Sequence, residues 1–390
     1  MAIRIPQEVQ DFYEEVQNIY RKLHREPELE YNVHKTAGFV AQYLKDLGLE
    51  VTEGIGKTGV SAVLKGIIPI DSQSSNLCIM FRADMDALPI EEDTNLPYKS
   101  INPGCMHACG HDAHVAILLV SAKILTMSPD FQGSIKFVFQ PAEENLKKGA
   151  LEMIKDGVLD GVDEVYAIHV GKPLKIGDYL FNNRFGSVNN DHFAVNVVGK
   201  GGHGSCPEGT NDPIPVAAAM IQAFCGISAN RQRPFRIQTN IVRTSDTYNA
   251  IPTSVKLKGA VRSLDSEDRE FVIKRMNEIC LGLEVAYDIT IELEFKRGYG
   301  TVKNNKNCGF WCLRAIRQIC FGTQFEQILQ IGEDFSYFTD RKPGAYLLIG
   351  CGEGEHGMHN SKFFIDEQVL LVGISYWVTL AKNRLNSDNY

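Results

Sequence analysis

The stretch SIKFVFQPAEE, residues 134–144, joins an apolar run typical of a buried strand to two adjacent glutamates. Like charges side by side raise the free energy unless they are solvated or face a cation. Glu143 and Glu144 therefore either begin a solvated helix or supply ligands to a bound metal ion. A metal site needs further ligands, so the rest of the chain has to distinguish the two interpretations.

Other runs of the same kind lie on both sides of this stretch. NLCIMFRADMD (76–86), EVYAIHV (164–170) and GAYLLIG (344–350) contain buried-strand patterns, and helical patterns fill residues 112–125 and 150–157. Strands that alternate with helices indicate a parallel sheet covered by helices on both faces. The outer parts of the chain therefore predict an α/β domain.

The pattern changes at Gly186 and returns after residue 300. Residues 187–300 contain their own strands and helices, in an order typical of an antiparallel α+β unit. We therefore predict a large catalytic domain, residues 1–186 and 301–390, with a mixed, mainly parallel sheet flanked by helices. A smaller lid or dimerisation domain with an antiparallel sheet, residues 187–300, interrupts it.

Composition excludes several classes of partner. The 390-residue chain carries a net charge of −8 without a basic block, so nucleic acid and anionic membranes are not expected partners. It has no apolar run of about 18 residues that could span a membrane, and its amphipathic N-terminus lacks the apolar core of a signal peptide. Ten cysteines without a CxxC pair favour reduced thiols. We expect a cytoplasmic protein.

The densest group of chemically reactive residues is GCMHACGHDAH, residues 104–114. Thiolate and imidazole together suit zinc and similar divalent metals. Cys109 and His111 are two residues apart, so they reach one ion only from a looped backbone ahead of the helix that begins near Asp112. A metal-free turn is the alternative, and these residues alone do not show which cysteine or histidine binds.

Polar residues also follow the other predicted strands. Asp84 and Asp86 follow NLCIMF, His169 lies at the end of EVYAIHV, and HGMHN (356–360) follows GAYLLIG. Each alone is more typical of a turn or a hydrogen-bonded core residue. Because the carboxyl ends of parallel strands meet at one edge, together they predict a site for two divalent ions. One glutamate of QPAEE then binds metal while its neighbour acts as a general base.

These motifs give the chain a recognisable resemblance. The matching stretches run in order over nearly its whole length: LHREPELEY, FRADMDALPI, MHACGHDAH, FQPAEE, AIHV, GKGGHGS, NAIP, GEDFSYF and MHN. The chain resembles the aminoacylase-related dinuclear metallopeptidases. Within them it is most similar to the branch with hippurate hydrolase, auxin-conjugate amidohydrolases and N-acetyl-diaminopimelate deacetylase.

The resemblance implies a role for each residue of the site. The metal ligands would be Cys109, His111, Glu144, His169 and His359. Glu143 would be the general base that activates a metal-bound water, and Asp86 would steady the site without binding the ions. Manganese, zinc, cobalt and nickel are all compatible with this ligand set.

The resemblance also implies substrate-binding residues in the lid, namely His203 of GKGGHGS, Asn249 of NAIP and Arg262 of GAVRS. In similar enzymes the histidine stabilises the oxyanion, often from the other subunit of a dimer, and arginine suits a carboxylate. We therefore expect a homodimer through the lid. Glu208 and the segment GSVNND (186–191) depart from the family pattern where specificity is set, so the acyl group stays open.

The function expected is metal-dependent hydrolysis of the amide bond of N-acyl amino acids, such as N-acetyl or hippurate-like conjugates, to a carboxylate and a free amino acid. A metallo-dipeptidase or carboxypeptidase acting on small peptides is one alternative. A catalytically silent metal-dependent binding protein is another, although Glu143 and all five ligands are present.

Overall fold

The computed structural model describes residues 2–69, 76–228, 235–244 and 247–386. The chain divides into two compact units. The larger unit consists of Met1–Gly186, Val302–Ile328 and Asp334–Tyr390, and the smaller unit of Ser187–Thr301 and Leu329–Glu333.

The larger unit is built from helices and strands in alternation. Before the smaller unit these are α1 Gln7–Gln10, α2 Tyr13–Arg25, α3 His34–Asp46, β1 Glu50–Ile55, β2 Gly59–Lys65, β3 Cys78–Asp84, α4 His111–Met127, β4 Ser134–Gln140, a 3₁₀ turn Glu144–Leu146, α5 Gly149–Lys155, β5 Glu164–Gly171 and β6 Tyr179–Leu180. After it come α8 Lys306–Ile316, β13 Gln324–Phe325, α9 Ser336–Thr339, β14 Gly344–Gly350 and α10 Gln368–Leu385.

The strands of the larger unit form one eight-stranded sheet in the order β1-β2-β4-β3-β5-β14-β6-β13. The four central strands, β4, β3, β5 and β14, run parallel to one another. Strands β1 and β2 add an antiparallel edge, and β6 is antiparallel to β14. The prediction of a mixed, mainly parallel sheet is confirmed.

The sheet of the larger unit is buried because long apolar helices cover it. Helices α4 and α10 have apolar residues on nearly every side, and most of their side chains are buried. The indole of Trp377 in α10 stacks on Phe81 of β3, with ring centroids 4.3 Å apart. Within the described residues, we find no helix with both the length and the apolar character needed to cross a bilayer.

The smaller unit contains β7 Asn189–Val198, β8 Gly202–His203, α6 Pro213–Gly226, β9 Arg236–Arg243, β10 Ala250–Ile251, β11 Ser254–Ser263, α7 Ser266–Tyr287 and β12 Thr290–Tyr299. Four strands pair antiparallel in the order β12-β7-β11-β9. Alternate residues of β7 are buried, and the apolar ones, Phe193, Val195 and Val197, pack in one core with α6 and α7. The other face of this sheet carries polar side chains, and the antiparallel architecture predicted for this segment is confirmed.

Candidate metal centre

The predicted metal ligands come together at one edge of the larger sheet. Parallel strands have their carboxyl ends at the same edge. Glu143 and Glu144 directly follow β4, His169 lies in the last part of β5, and His359 follows β14. Cys109 and His111 lie on either side of Gly110, which precedes α4 with a φ of 88°. This left-handed glycine produces the looped backbone that the spacing of Cys109 and His111 requires.

The ligand atoms of these residues form a continuous cluster. Among the groups of atoms that lie within 4.8 Å of one another, three that overlap contain the predicted ligands and Glu143: Cys109–His111–His169, Cys109–Glu144–His359 and His111–Glu143–Glu144. Every member except His359 is buried. Because the groups share residues, they provide more ligand atoms than one four-coordinate ion requires, as a site for two ions does.

The hydrogen bonds of two histidines point their free nitrogens into this cluster. His111 donates from Nδ1 to the main-chain carbonyl of Asp86 at 2.8 Å, and His169 donates from Nδ1 to the carbonyl of Val170 at 2.6 Å. A carbonyl only accepts, so in the neutral form of each ring the lone pair is on Nε2. Burial lowers the pKa of His111, but the Asp84 and Cys109 charges raise it well above its usual value, so a metal ion bound there would displace a proton from Nε2. Nε2 of His169 lies 3.5 Å from Sγ of Cys109. Nε2 of His111 is buried and has no hydrogen-bond partner among the described residues, as suits a metal ligand.

Asp86 holds both glutamates of QPAEE in place. Its Oδ1 accepts a hydrogen bond from the main-chain N–H of Glu143 at 3.0 Å, and its Oδ2 accepts one from Glu144 at 3.1 Å. Asp86 itself is buried, and its main-chain carbonyl also orients His111. One residue therefore fixes the backbone of two candidate site residues and the ring of a third.

The turn that carries these glutamates has a strained backbone. Ala142, Asn145, Leu146 and Lys148 all have positive φ, between 55° and 64°, and so does His359 at 64°. Non-glycine residues in such conformations cost about 1–3 kcal/mol each and persist only where the surroundings impose them. The two hydrogen bonds to Asp86 are part of what imposes the turn.

The imidazole of His359 and the thiol of Cys109 carry protons that a metal ion has to displace. Hydrogen bonds with Cys109 and Glu144 raise the pKa of His359 to about 10. Burial raises the pKa of the Cys109 thiol, whereas burial lowers the pKa of His169 well below its usual value and keeps it neutral. Metals bind thiolate and neutral imidazole, so loading this cluster releases protons. The thiol, imidazole and carboxylate groups present therefore fit divalent ions.

The other histidines of GCMHACGHDAH have different environments. His114 accepts a hydrogen bond at Nε2 from the main-chain N–H of Val170 at 3.0 Å, and its Nδ1 donates to Asp84 at 2.6 Å. Both nitrogens are therefore used, and His114 positions β5. His107 is buried outside the three groups, and burial lowers its pKa to about 4.

The structure also separates residues that the motif left as alternatives. Sγ of Cys105 donates to the carbonyl of Pro27 at 3.4 Å, so this thiol is engaged away from the cluster. Among the described residues the groups contain Cys109 and His359, and they contain neither Cys105 nor His356. The geometry is thus compatible with the ligand set implied by the resemblance. The role of each of these residues stays a prediction.

Sequence reasoning missed a buried charge network next to the cluster. Arg82 donates to Asp84 at 2.6 Å, to Gln140 at 2.9 Å and to Asp334 at 3.0 Å. Burial alone would raise the pKa of Asp84, but Arg82 and the nearby imidazoles hold it well below its usual range. The signal was present, because Arg82 lies in FRADMD and Asp334 in GEDFSYF, yet only the fold brings them into contact.

Two of the three substrate-binding candidates lie together in the smaller unit. His203 of β8 pairs with Ala250 of β10, and Gly204 donates to the carbonyl of Asn249 at 2.8 Å. The N–H of Ser205 donates to Nδ1 of His203 at 3.2 Å, so the ring hydrogen is on Nε2. His203 is exposed and presents this N–H as a donor.

Arg262, the third candidate, lies at the other end of the smaller sheet. It pairs with Asn190 near the start of β7, whereas the ribbon of His203 follows Val198 at the end of β7. Residues 190 and 198 are separated by about 27 Å along an extended strand. The structure therefore does not bring Arg262 together with His203 and Asn249 within one copy of this unit.

Comparison with known proteins agrees with the motifs. The sequence profile of peptidase family M20/M25/M40 matches residues 80–383. The chain is 37% identical to thermostable carboxypeptidase 1 of Saccharolobus solfataricus, with 95% of each chain covered. It is 36% identical to hippurate hydrolase of Campylobacter jejuni, with 96% of this chain and 97% of the relative covered. It is 33% identical to N-acetyl-L-cysteine deacetylase of Bacillus subtilis, with 95% and 88% covered.

A solved structure gives the same result for the fold. A dinuclear metal binding peptidase of the M20 family from Bacillus subtilis superposes with a TM-score of 0.84 at 28% identity, over 97% of this chain and 99% of that one. The resemblance expected from the motifs is confirmed. The chain therefore belongs to peptidase family M20/M25/M40, and it is a metal-dependent hydrolase of the amidohydrolase and peptidase type.

Proposed function

We propose that this protein hydrolyses the amide bond between an acyl group and an amino acid that carries a free carboxylate. The observation that carries the proposal is the fixed pair of glutamates beside the thiol and imidazole cluster. Asp86 holds both backbones, so Glu144 can bind metal while the neighbouring Glu143 transfers the proton. Hippurate hydrolase and N-acetyl-L-cysteine deacetylase, by their names, act on N-acyl amino acids, and this supports the choice of substrate class.

The residues would divide the chemistry as follows. Cys109, His111, Glu144, His169 and His359 would hold two divalent ions, for which manganese, zinc, cobalt and nickel all suit the ligand types. When bound, such ions lower the pKa of a coordinated water to about 7 and polarise a carbonyl group. Glu143 takes the proton of the attacking water and returns it to the leaving nitrogen. The Nε2–H of His203 donates to the oxygen on which negative charge develops.

A carboxypeptidase activity is the second candidate, because two thermostable carboxypeptidases are 37% and 36% identical to this chain. A carboxypeptidase breaks the same bond, the one between a carbonyl carbon and the amide nitrogen of an amino acid with a free carboxylate. Only the acyl side differs, being a peptide in one case and a simple acyl group in the other. The two candidates therefore share one site and differ in the room available for the acyl group.

We expect metal-dependent release of free amino acid from N-acyl amino acids. Metal is first removed from the protein, which is then reloaded with manganese, zinc, cobalt or nickel under reducing conditions. Each loaded sample is tested on N-acetyl amino acids, N-benzoylglycine, dipeptides and longer peptides, with the metal-free protein as the reference. Turnover that is fastest on acyl amino acids supports the proposal. Turnover of peptides alone would replace it with the carboxypeptidase, and metal-loaded protein inactive on the whole panel would contradict both.

We further propose that the active enzyme is a dimer. A small substrate cannot contact both ends of a sheet about 27 Å long, so Arg262 and His203 bind one substrate only if they come from two copies of the smaller unit. In that assembly each copy supplies His203 and Asn249 to the other. This explains how predicted substrate-binding residues can lie so far apart within one copy.

Mixing two inactive variants tests this dimer. Glu143→Gln damages the proton acceptor and His203→Ala damages the donor, so each homodimer is defective. If His203 acts across the dimer, a mixed dimer contains one intact site, and a statistical mixture recovers about one quarter of wild-type activity. If His203 acts within its own chain, every site in the mixture is defective. A mixture without recovered activity despite subunit exchange, or a monomeric active enzyme, would therefore refute the proposal.

A further inference from the structure

A row of polar side chains crosses the exposed face of the smaller sheet at Arg262. Asn190 of β7 and Arg236 of β9 lie directly opposite Arg262 on its two sides. Directly opposed residues of antiparallel strands point to the same face, and like charges so placed are destabilising. Two guanidinium groups are therefore adjacent on this face. An anion bound between them would relieve the repulsion.

The environment of Arg262 leaves its charge available. Its side chain is half-buried and donates a hydrogen bond to Oδ1 of Asn190. No carboxylate forms an ion pair with it within the part of the chain that the structure describes. Taking the Arg262 charge partly out of water without an ion pair is costly, so an anionic ligand would be favoured beside it. Burial lowers the pKa of Arg262, and the Asp191 carboxylate opposes this shift only through its charge. His192, on the same face, has its pKa lowered by burial and by the Arg262 charge, and the Asp191 carboxylate opposes this shift.

Asn190 is held in a fixed orientation. A Cβ added to Gly332 would lie 2.6 Å from both Cβ and Nδ2 of Asn190, so only glycine leaves space for this amide. The amide is therefore confined between Gly332 and Arg262. It orients the guanidinium without neutralising its charge, whereas an aspartate at the same position would neutralise it.

The face also offers space beside this row. A cavity of about 400 Å³ is lined by residues of β7, β9, β11 and β12, among them His192, Ala194, Lys258 and Ala260. His192 and Ala260 lie two residues along from Asn190 and Arg262 on the same face. The small alanines lie at the depression, and its polar lining includes His192, Lys258 and the ion pair of Lys296 with Glu294.

We propose that Asn190 is a positioning residue that orients Arg262, with Arg236 beside it, to bind the carboxylate of the substrate's amino-acid part. This inference rests on the proposed function. In it, the row of Asn190, Arg262 and Arg236 is the reason why the substrate needs a free carboxylate. It also gives a role to part of GSVNND, the segment that departs from the family pattern. The predicted specificity is for acids over the corresponding amides.

The test compares N-benzoylglycine with N-benzoylglycinamide, which differ only in the carboxylate. Calorimetry on the metal-loaded Glu143→Gln protein measures binding without turnover, and kcat/KM is measured on protein with Glu143 intact. We expect Asn190→Asp to weaken binding of the acid about 10- to 100-fold, as for loss of a charged hydrogen bond. Binding of the amide should change by less than about threefold, within the effect of an ordinary surface substitution.

Asn196→Asp is the matched control. It adds the same charge on the same face of β7, between Lys256 and Glu292 and away from Arg262, so the preference for the acid should persist. Because Asn196 donates a hydrogen bond to Glu292, the variant's free energy of unfolding is measured alongside its binding. Equal binding of acid and amide by protein with Asn190 intact, or a preference unchanged in Asn190→Asp, would overturn the inference. If the acid is nevertheless hydrolysed, the proposed function stands. The protein could instead bind the acid selectively, lose this selectivity in Asn190→Asp, and hydrolyse neither compound. That result would support the inference and contradict the proposed function.

Discussion

Glu143→Gln is expected to lower kcat by about 10²- to 10⁴-fold, the range that general acid–base catalysis contributes. Glutamine has the same shape as glutamate, and the main-chain hydrogen bond of residue 143 to Asp86 does not involve the side chain. The turn should therefore keep its conformation. The glutamine amide cannot accept the proton of the attacking water, so the chemical step loses its base. The measurement is kcat on the best substrate of the panel, with metal content determined on the same sample.

Two further variants show whether this effect is specific. Glu144→Gln should lose metal as well as activity, because Glu144 belongs to the predicted ligand set. Glu152→Gln, on α5 and ion-paired with Lys155 at 2.6 Å, should retain both. Glu143→Gln protein with full metal content and kcat within tenfold of the wild type would exclude Glu143 as the proton acceptor.

Cys109→Ala should weaken metal binding by more than about 100-fold, exceeding the loss typical of residues that only support a ligand. Sγ of Cys109 is shared between two of the three ligand groups, so its removal affects both predicted ion positions. Activity should fall in parallel, because the hydrolysis depends on the ions. Titration of metal-free protein with zinc, monitored by calorimetry, gives the affinity and the number of ions bound.

Cys105→Ala provides the matched control for this experiment. The two cysteines lie in the same loop and are both buried, but Sγ of Cys105 bonds the carbonyl of Pro27. Cys105→Ala should therefore bind metal as the wild type does, with at most a modest loss of stability from the missing contacts. Equal zinc affinities for the two alanine variants would remove Cys109 from the ligand set.

The sequence predicts those parts of the fold whose apolar pattern is strong. Strands β3, β4, β5 and β14 were all predicted, because each is a continuous apolar run, as expected for a parallel strand buried on both faces. Helix α10 was not predicted, since its buried residues surround the helix and leave no single apolar face. The two-residue strands β6 and β13 are too short to give a pattern.

The site was predictable as a set of residue types and not as a geometry. Spacing in GCMHACGHDAH could not distinguish Cys109 from Cys105, because the difference arises when Pro27 accepts the Cys105 hydrogen bond. His114 looks like a ligand in sequence, but Asp84 and Val170 use both its nitrogens. These contacts join residues that are far apart in the chain, so only the folded sheet reveals them.

The position of β14 has a consequence for how the protein is made. β14 follows β5 by about 170 residues in the chain, yet it is the direct parallel neighbour of β5 and separates it from β6. At 5–20 residues per second, a ribosome needs roughly 10–35 s to synthesise that interval. During this time the nascent chain has an open sheet edge at β5 and lacks His359. The metal centre can therefore be completed only near the end of translation, and the growing polypeptide needs protection from aggregation until then.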